Sequence, residues 1–187
     1  MFKKVFLFFS ALFFLFFQTT PVSAESNFNS LVIPIRELTD SSEDSLELPK
    51  LIYQTATSSA QSVTWLLDYD ALTSATTSAF FQQIHNSTQE IGLIIDIPPL
   101  LYHSSPVQEP LHANTSYLLN SFQPLDRQIL IDNLVASFYH TFGFYPRTIA
   151  SSYIDSYSLQ YFKEQYSITG AIFGIPGLTG YQPELTG

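Results

Sequence analysis

The sequence predicts an α/β fold on a parallel sheet: an incomplete or distorted parallel β/α barrel, with a small open doubly wound parallel sheet as the alternative. Three observations predict it. Strand-length apolar segments alternate with segments of helical periodicity, in the order β-α-β-α-β-α-β-α-β. The strand segments are near-continuous apolar runs, as a parallel sheet buried on both faces requires. The last strand is followed by turn residues and no further helix. Five strands of an eight-stranded barrel leave an open core, so a domain truncated at its C-terminal end is expected.

The first element is not part of that fold. Eight of the 17 Phe fall in residues 1–17. Two Lys, an apolar run of about 13 residues and a polar stretch ending in Val22-Ser23-Ala24 have the three-part layout of a signal peptide. The run is short for a bilayer span, which needs about 20 residues. Residues 1–24 are therefore expected to be a leader cleaved after Ala24, giving a secreted or extracytoplasmic protein, membrane-anchored if uncleaved. Residues 25–30 read as a polar tether, and 31–187 as the β/α-barrel-like domain.

Within that domain, LVIPIR (31–36) is a brief strand. ELTDSSEDSLE follows, acidic without a base, and reads as a solvated loop because it lacks the Asp-x-Asp-x-Asp-Gly spacing of a calcium loop. Residues 48–60 form a short helix with Leu48, Leu51 and Ile52 on one side. VTWLL (63–67) is the second strand. Residues 74–84 form a helix burying Phe80, Phe81 and Ile84. IGLIIDI (91–97) is the third strand, stopped by Pro98-Pro99, and 98–123 is a long loop. The next helix opens with Pro124 in its first turn and Asp126 at its positive end. Leu130, Leu134, Phe138 and Phe142 form its apolar face, and Gly143 is its left-handed cap. Strand 148–154, helix 156–166 with Leu159 and Phe162 inward, and strand 168–173 complete the order.

Composition narrows the function. Without the leader, five bases face all 16 acids, a formal charge of −11. So acidic a chain has little attraction for a phosphate backbone, which argues against nucleic acid as partner. The chain has no cysteine, which excludes disulfides, thiolate metal sites and a thiol nucleophile.

Ligands of parallel α/β folds bind at the carboxyl ends of the strands. Arg36 ends the first strand, Asp68 and Asp70 the second, Asp96 lies near the end of the third, and Asp155 ends the fourth. Converging carboxylates can act as acid and base, hold a metal or bind sugar hydroxyls. Each has a plainer use. Asp155 and Asp70 can cap the helices that follow them, and Arg36 can pair with the acidic loop. Asp96 lies between two isoleucines and needs a partner, because a buried lone acid is costly. His112, in the long loop, is a candidate for acid/base work, substrate binding or a metal. Tyr153 is a candidate for stacking on a sugar ring. His85 and His140 read as surface residues. Gly-x-Ser-x-Gly, His-Glu-x-x-His, a P-loop and Gly-x-Gly-x-x-Gly are all missing.

TWLLDYDAL, EIGLIIDI, the loop with His112 and GFYPRTIASSYIDSYSLQYFKEQYSITGA follow one another in an order that resembles the polysaccharide deacetylase-like (NodB-type glycoside hydrolase/deacetylase) superfamily. The similarity is greatest to divergent secreted bacterial members and spans about residues 31–175. It implies a distorted β/α barrel that removes N-acetyl groups from polysaccharides, or occasionally cuts their glycosidic bonds. Active members hold a divalent metal with an Asp and two His and use another Asp as base. LLDYD resembles the first motif, Thr-Phe-Asp-Asp, which implies base and metal-ligand roles for Asp68 or Asp70. The chain departs from the family at the paired metal histidines, which are absent, and at the Arg-Pro-Pro-Tyr motif, where IASSYIDSYSL has neither Arg nor Pro. The cofactor is therefore left as unknown, with a divalent metal as the candidate. The expected function is that of a secreted carbohydrate-active hydrolase on a polysaccharide or cell-wall glycan. The alternatives are a non-catalytic glycan-binding domain with a degenerate site, or a purely structural role.

Overall fold

The computed structural model describes residues 30–36, 46–108, 110 and 118–174. The leader, residues 25–29 of the expected tether, most of the acidic loop, His112 and residues 175–187 lie outside the described residues, and Ser30 belongs to the first strand rather than to the tether. The elements are β1 (Ser30–Ile35), α1 (Glu47–Ser58), β2 (Ser62–Leu67), α2 (Tyr69–Thr73), α3 (Ala75–Ile84), β3 (Gln89–Ile94), α4 (Pro99–His103), a 3₁₀ turn (Leu119–Ser121), α5 (Pro124–Phe142), β4 (Thr148–Ser151), α6 (Ser156–Tyr166) and β5 (Gly170–Phe173).

All four strand pairings are parallel and run in chain order, β1-β2-β3-β4-β5. A doubly wound sheet needs a reversal of strand order, so this topology excludes that alternative. The sheet is a curled half-barrel. Period-two alternation divides its side chains between two faces. Trp65, Leu67, Ile91, Leu93 and Ile149 meet the helices in one large core with Phe81, Leu130, Leu134, Phe138 and Phe162. Leu66, Ile94 and Ala150 form a small cluster on the other, concave face, with Val32 and Ile172 beside them. Trp65 is fully buried against Phe81, and its indole N–H donates to Gln89 Oε1 at 2.9 Å.

Pro34 explains one edge. Ile35 O accepts from Asp68 N, so the odd residues of β1 face β2 and the even ones face outward. The missing N–H of Pro34 thus falls on the free edge, where a proline does least harm.

Gly92 explains the β3–β4 contact. A Cβ there would lie 2.6 Å from Thr148 O and 2.8 Å from Leu66 Cδ2. The first is backbone and cannot step aside. Gly92→Ala is expected to destabilise the fold by about 1–3 kcal/mol. Denaturation followed by the fluorescence of Trp65, the chain's single tryptophan, measures it.

Several elements differ from the sequence expectation. Leu48 and Leu51 point to solvent, because α1 buries Pro49 and Ala56 instead, with Ile52 and Tyr53 partly covered. The spacing from Pro49 through Ile52 and Tyr53 to Ala56 is itself a helical stripe. Strand β3 spans Gln89–Ile94 rather than 91–97, so it ends before Pro98-Pro99, and Pro99 instead occupies the first turn of α4, so the expected loop begins with a helix. A short helix, α2, precedes α3. Strand β4 ends at Ser151, whose hydroxyl accepts from Tyr153 N and donates to Tyr153 O, closing a tight turn. Strand β5 starts at Gly170 rather than at Ile168. Helix α5 has the expected bounds, ended by Gly143 at φ 77° with its N–H on Tyr139 O. Among the described residues no helix is long and apolar enough to cross a membrane.

Candidate functional site

The carboxyl ends of β1, β2 and β3 bring three charged side chains together. Ile35 O accepting from Asp68 N locks the end of β1 to the end of β2. Ile95 N donating to Ala150 O carries β3 on to Asp96. Alternation then turns Arg36, Asp68 and Asp96 toward the same face as Leu66 and Ile94. Arg36 Nη2 donates to Asp96 Oδ2 at 2.7 Å, with side-chain exposures of 30% and 10%. Asp68 is buried at the rim. Its Oδ1 caps α2 by accepting from Ala71 N at 2.8 Å.

Electrostatics single out Asp96. Burial pushes its carboxyl up to about 6; Arg36 pulls it down, and the charge of Asp68 pushes it further up. A carboxylate tuned to that range can both hold and release a proton near neutral pH. Asp96 Oδ1 and Arg36 Nε are buried and have no hydrogen-bond partner among the described residues. One is an acceptor and the other a donor, the complement of a hydroxyl or a water, which gives one hydrogen bond and receives another.

The other candidates stand elsewhere. Asp70 is exposed in the first turn of α2, three residues past the end of β2. Asp155 caps α6: its Oδ1 accepts from Ser158 N, its Oδ2 from Ser158 Oγ, and Arg127 Nη1 lies 3.0 Å from Oδ2. Burial acts to raise its pKa, but Ser158 and Arg127 outweigh that and hold it below the ordinary carboxylate range. Tyr153 is 65% exposed in the turn after β4. His112 lies outside the described residues. His85 is exposed and stacks on Phe144, and His140 is exposed near the end of α5.

Sequence reasoning missed Arg127 and the true partner of Arg36. Arg127 also donates to Phe122 O and Asn120 O, which ties the long connection to the start of α5 and to α6. Its position four residues into a helix gave no signal of that duty. Arg36 pairs with Asp96, 60 residues away, rather than with any acid of the nearby loop that the structure describes.

The divalent metal that the resemblance implies does not fit the described residues. No group of three or more His, Cys, Asp or Glu gathers among them. A guanidinium occupies Asp96 Oδ2 and a helix cap occupies Asp68 Oδ1, where ligands to a cation would be wanted.

No protein-family model matches the chain, and no curated protein matches it. The search of solved structures gives a crystal structure, at 1.44 Å resolution, of a protein from Parabacteroides distasonis provisionally identified as a glycoside hydrolase/deacetylase. The identity is 13% and the TM-score 0.48, over 76% of this chain and 34% of that one. The chain thus spans about a third of that protein's length.

Proposed function

We propose that the protein is an exported carbohydrate-active hydrolase that acts on N-acetyl or glycosidic groups of a polysaccharide or cell-wall glycan, with Asp96 as its general base. The observation that carries this reading is the half-buried Arg36–Asp96 pair, with a carboxyl raised to about 6 and one unpartnered oxygen. In the deacetylation form, a water hydrogen-bonded to Asp96 Oδ1 attacks the acetyl carbonyl carbon. Asp96 takes the water proton as the new C–O bond forms. The C–N bond then breaks, and that proton passes to the leaving nitrogen, giving acetate and a free amine. Arg36 holds the carboxylate in place and offers Nε–H to an oxygen of the substrate. Asp68 keeps negative charge beside Asp96 and so favours proton uptake. Tyr153, exposed past β4, supplies a ring face for a sugar.

Export rests on the leader composition of residues 1–24. N-terminal sequencing of protein recovered outside the cytoplasm is expected to start at Glu25. A recovered chain that still begins at Met1 contradicts cleavage.

The test of the reaction uses the full chain with chitin-type, peptidoglycan and α-glucan substrates, with Asp68→Asn as a comparison, reading acetate and reducing sugar. Release of either, lowered by Asp68→Asn, is the expected result. Both rim carboxylates also have structural duties, Asp68 as a cap and Asp96 as an ion-pair partner, which favours a second reading as a non-catalytic glycan-binding domain. Sugar binding without turnover would select that reading.

A further inference from the structure

Strands β3 and β4 pair only at Leu93↔Ile149 and Ile94↔Ala150, whereas β2 and β3 pair along five residues. The pairing runs no further toward the amino ends, because β4 starts at Thr148, packed against Gly92. The reason is local. Pro146, just before β4, has no N–H to donate, and Arg147 O is taken by Thr169 N and Gly170 N of the β5 side. A cleft of about 960 Å³ lies at the amino ends of β3, β4 and β5, the end opposite Arg36, Asp68 and Asp96.

The cleft combines two kinds of surface. One is polar and fixed. Glu90 accepts from Thr64 Oγ1 at 3.2 Å and from Thr148 Oγ1 at 2.8 Å, one bond on each carboxylate oxygen, so its orientation is set while further lone pairs stay available. Arg147 is exposed on the same cleft and makes no side-chain hydrogen bond or ion pair among the described residues. The other surface is aromatic and braced. Tyr145 is 50% exposed. Its ring stacks on Tyr139 at 4.8 Å and 29°, and lies 5.7 Å from Tyr166. Tyr166 is in turn anchored by its hydroxyl on Asp132. A ring held this way loses little freedom when a ligand covers it.

A pyranose presents an apolar C–H face and an equatorial belt of hydroxyls that both donate and accept. An exposed aromatic ring, a fixed carboxylate and a guanidinium on the walls of one cleft match that pattern. The formal charge of −9 opposes polyanions, which leaves a neutral sugar polymer as the ligand. We infer that this cleft is a second glycan-binding site, seating a neutral polysaccharide on Tyr145 with its hydroxyls on Glu90 and Arg147. It rests on the reading of the partner as a glycan, not on the proposed reaction at the opposite end.

The test is co-sedimentation of the full chain with insoluble chitin, cellulose and starch granules. Wild type, Tyr145→Ala and Arg147→Ala are compared, and each variant is checked for a native Trp65 emission. Retention of wild type by one of these polymers is expected. Tyr145→Ala should weaken it about tenfold, the usual cost of truncating an aromatic anchor. Arg147→Ala should weaken it in the same direction. The inference is overturned if none of the three polymers retains the chain, or if folded Tyr145→Ala and Arg147→Ala bind as wild type. Tyr145-dependent binding without hydrolysis would leave this site standing and remove the catalytic reading.

Discussion

Asp96→Asn lowers the hydrolytic rate about 10²- to 10⁴-fold, the usual contribution of a positioned general base. The amide keeps the shape of the carboxyl and can still accept from Arg36, so substrate binding changes little while proton uptake is lost. The same substitution has a stability signature. The Asp96 carboxyl lies at about 6 in the folded chain, against 3.8 without the fold. Between those values the folded state holds the proton more tightly than the unfolded one. Stability from this group is therefore full below about pH 4 and is lost as pH rises through 6, by on the order of 3 kcal/mol. Denaturation followed by Trp65 fluorescence at several pH values should show that fall in wild type. Asp96→Asn should flatten it.

Arg36→Ala should destabilise the fold strongly at neutral pH. It removes the cation beside a buried carboxylate, and breaking such a pair costs about 3–5 kcal/mol if the remaining charge persists. Asp96 can escape part of that cost by staying protonated. The loss should therefore be larger at pH 8 than at pH 5, and the titration of Asp96 should move upward. Arg36→Lys keeps the charge but not the Nε donor, so it should recover most of the stability and less of the activity. Denaturation midpoints at the two pH values measure this. Equal losses at both would show that the guanidinium does not act through Asp96.

What the sequence made legible follows from how local each signal is. The bounds of α5 rest on Pro124, one apolar stripe and Gly143, all within the helix itself, and they are found where the pattern puts them. Alternation of strand and helix fixes parallel pairing, and the chain-order topology selects the curled half-barrel over the doubly wound sheet. Asp96 was readable as an acid in need of a partner. The identity of that partner was not, because Arg36 reaches it only once β1 and β3 lie on the same concave face with β2 between them. Asp155 shows a related ambiguity: the same Asp-Ser start serves a helix cap and a strand-end site, and here Ser158 and Arg127 occupy its oxygens. The inward stripe of α1 misled because leucines outweigh Pro49 and Ala56 in hydrophobicity, whereas those two smaller side chains are the ones the helix buries. The early end of the β3–β4 pairing falls at Pro146, which has no N–H to offer β3.

The most direct measurement is the pH dependence of kcat/KM for polysaccharide hydrolysis by wild type and Asp96→Asn. With Asp96 as the base, the wild-type profile rises with pH through a limb near 6, and the residual activity of Asp96→Asn lacks that limb. A profile flat across that range, or a limb that persists in Asp96→Asn, would contradict the assignment of Asp96 as the catalytic base.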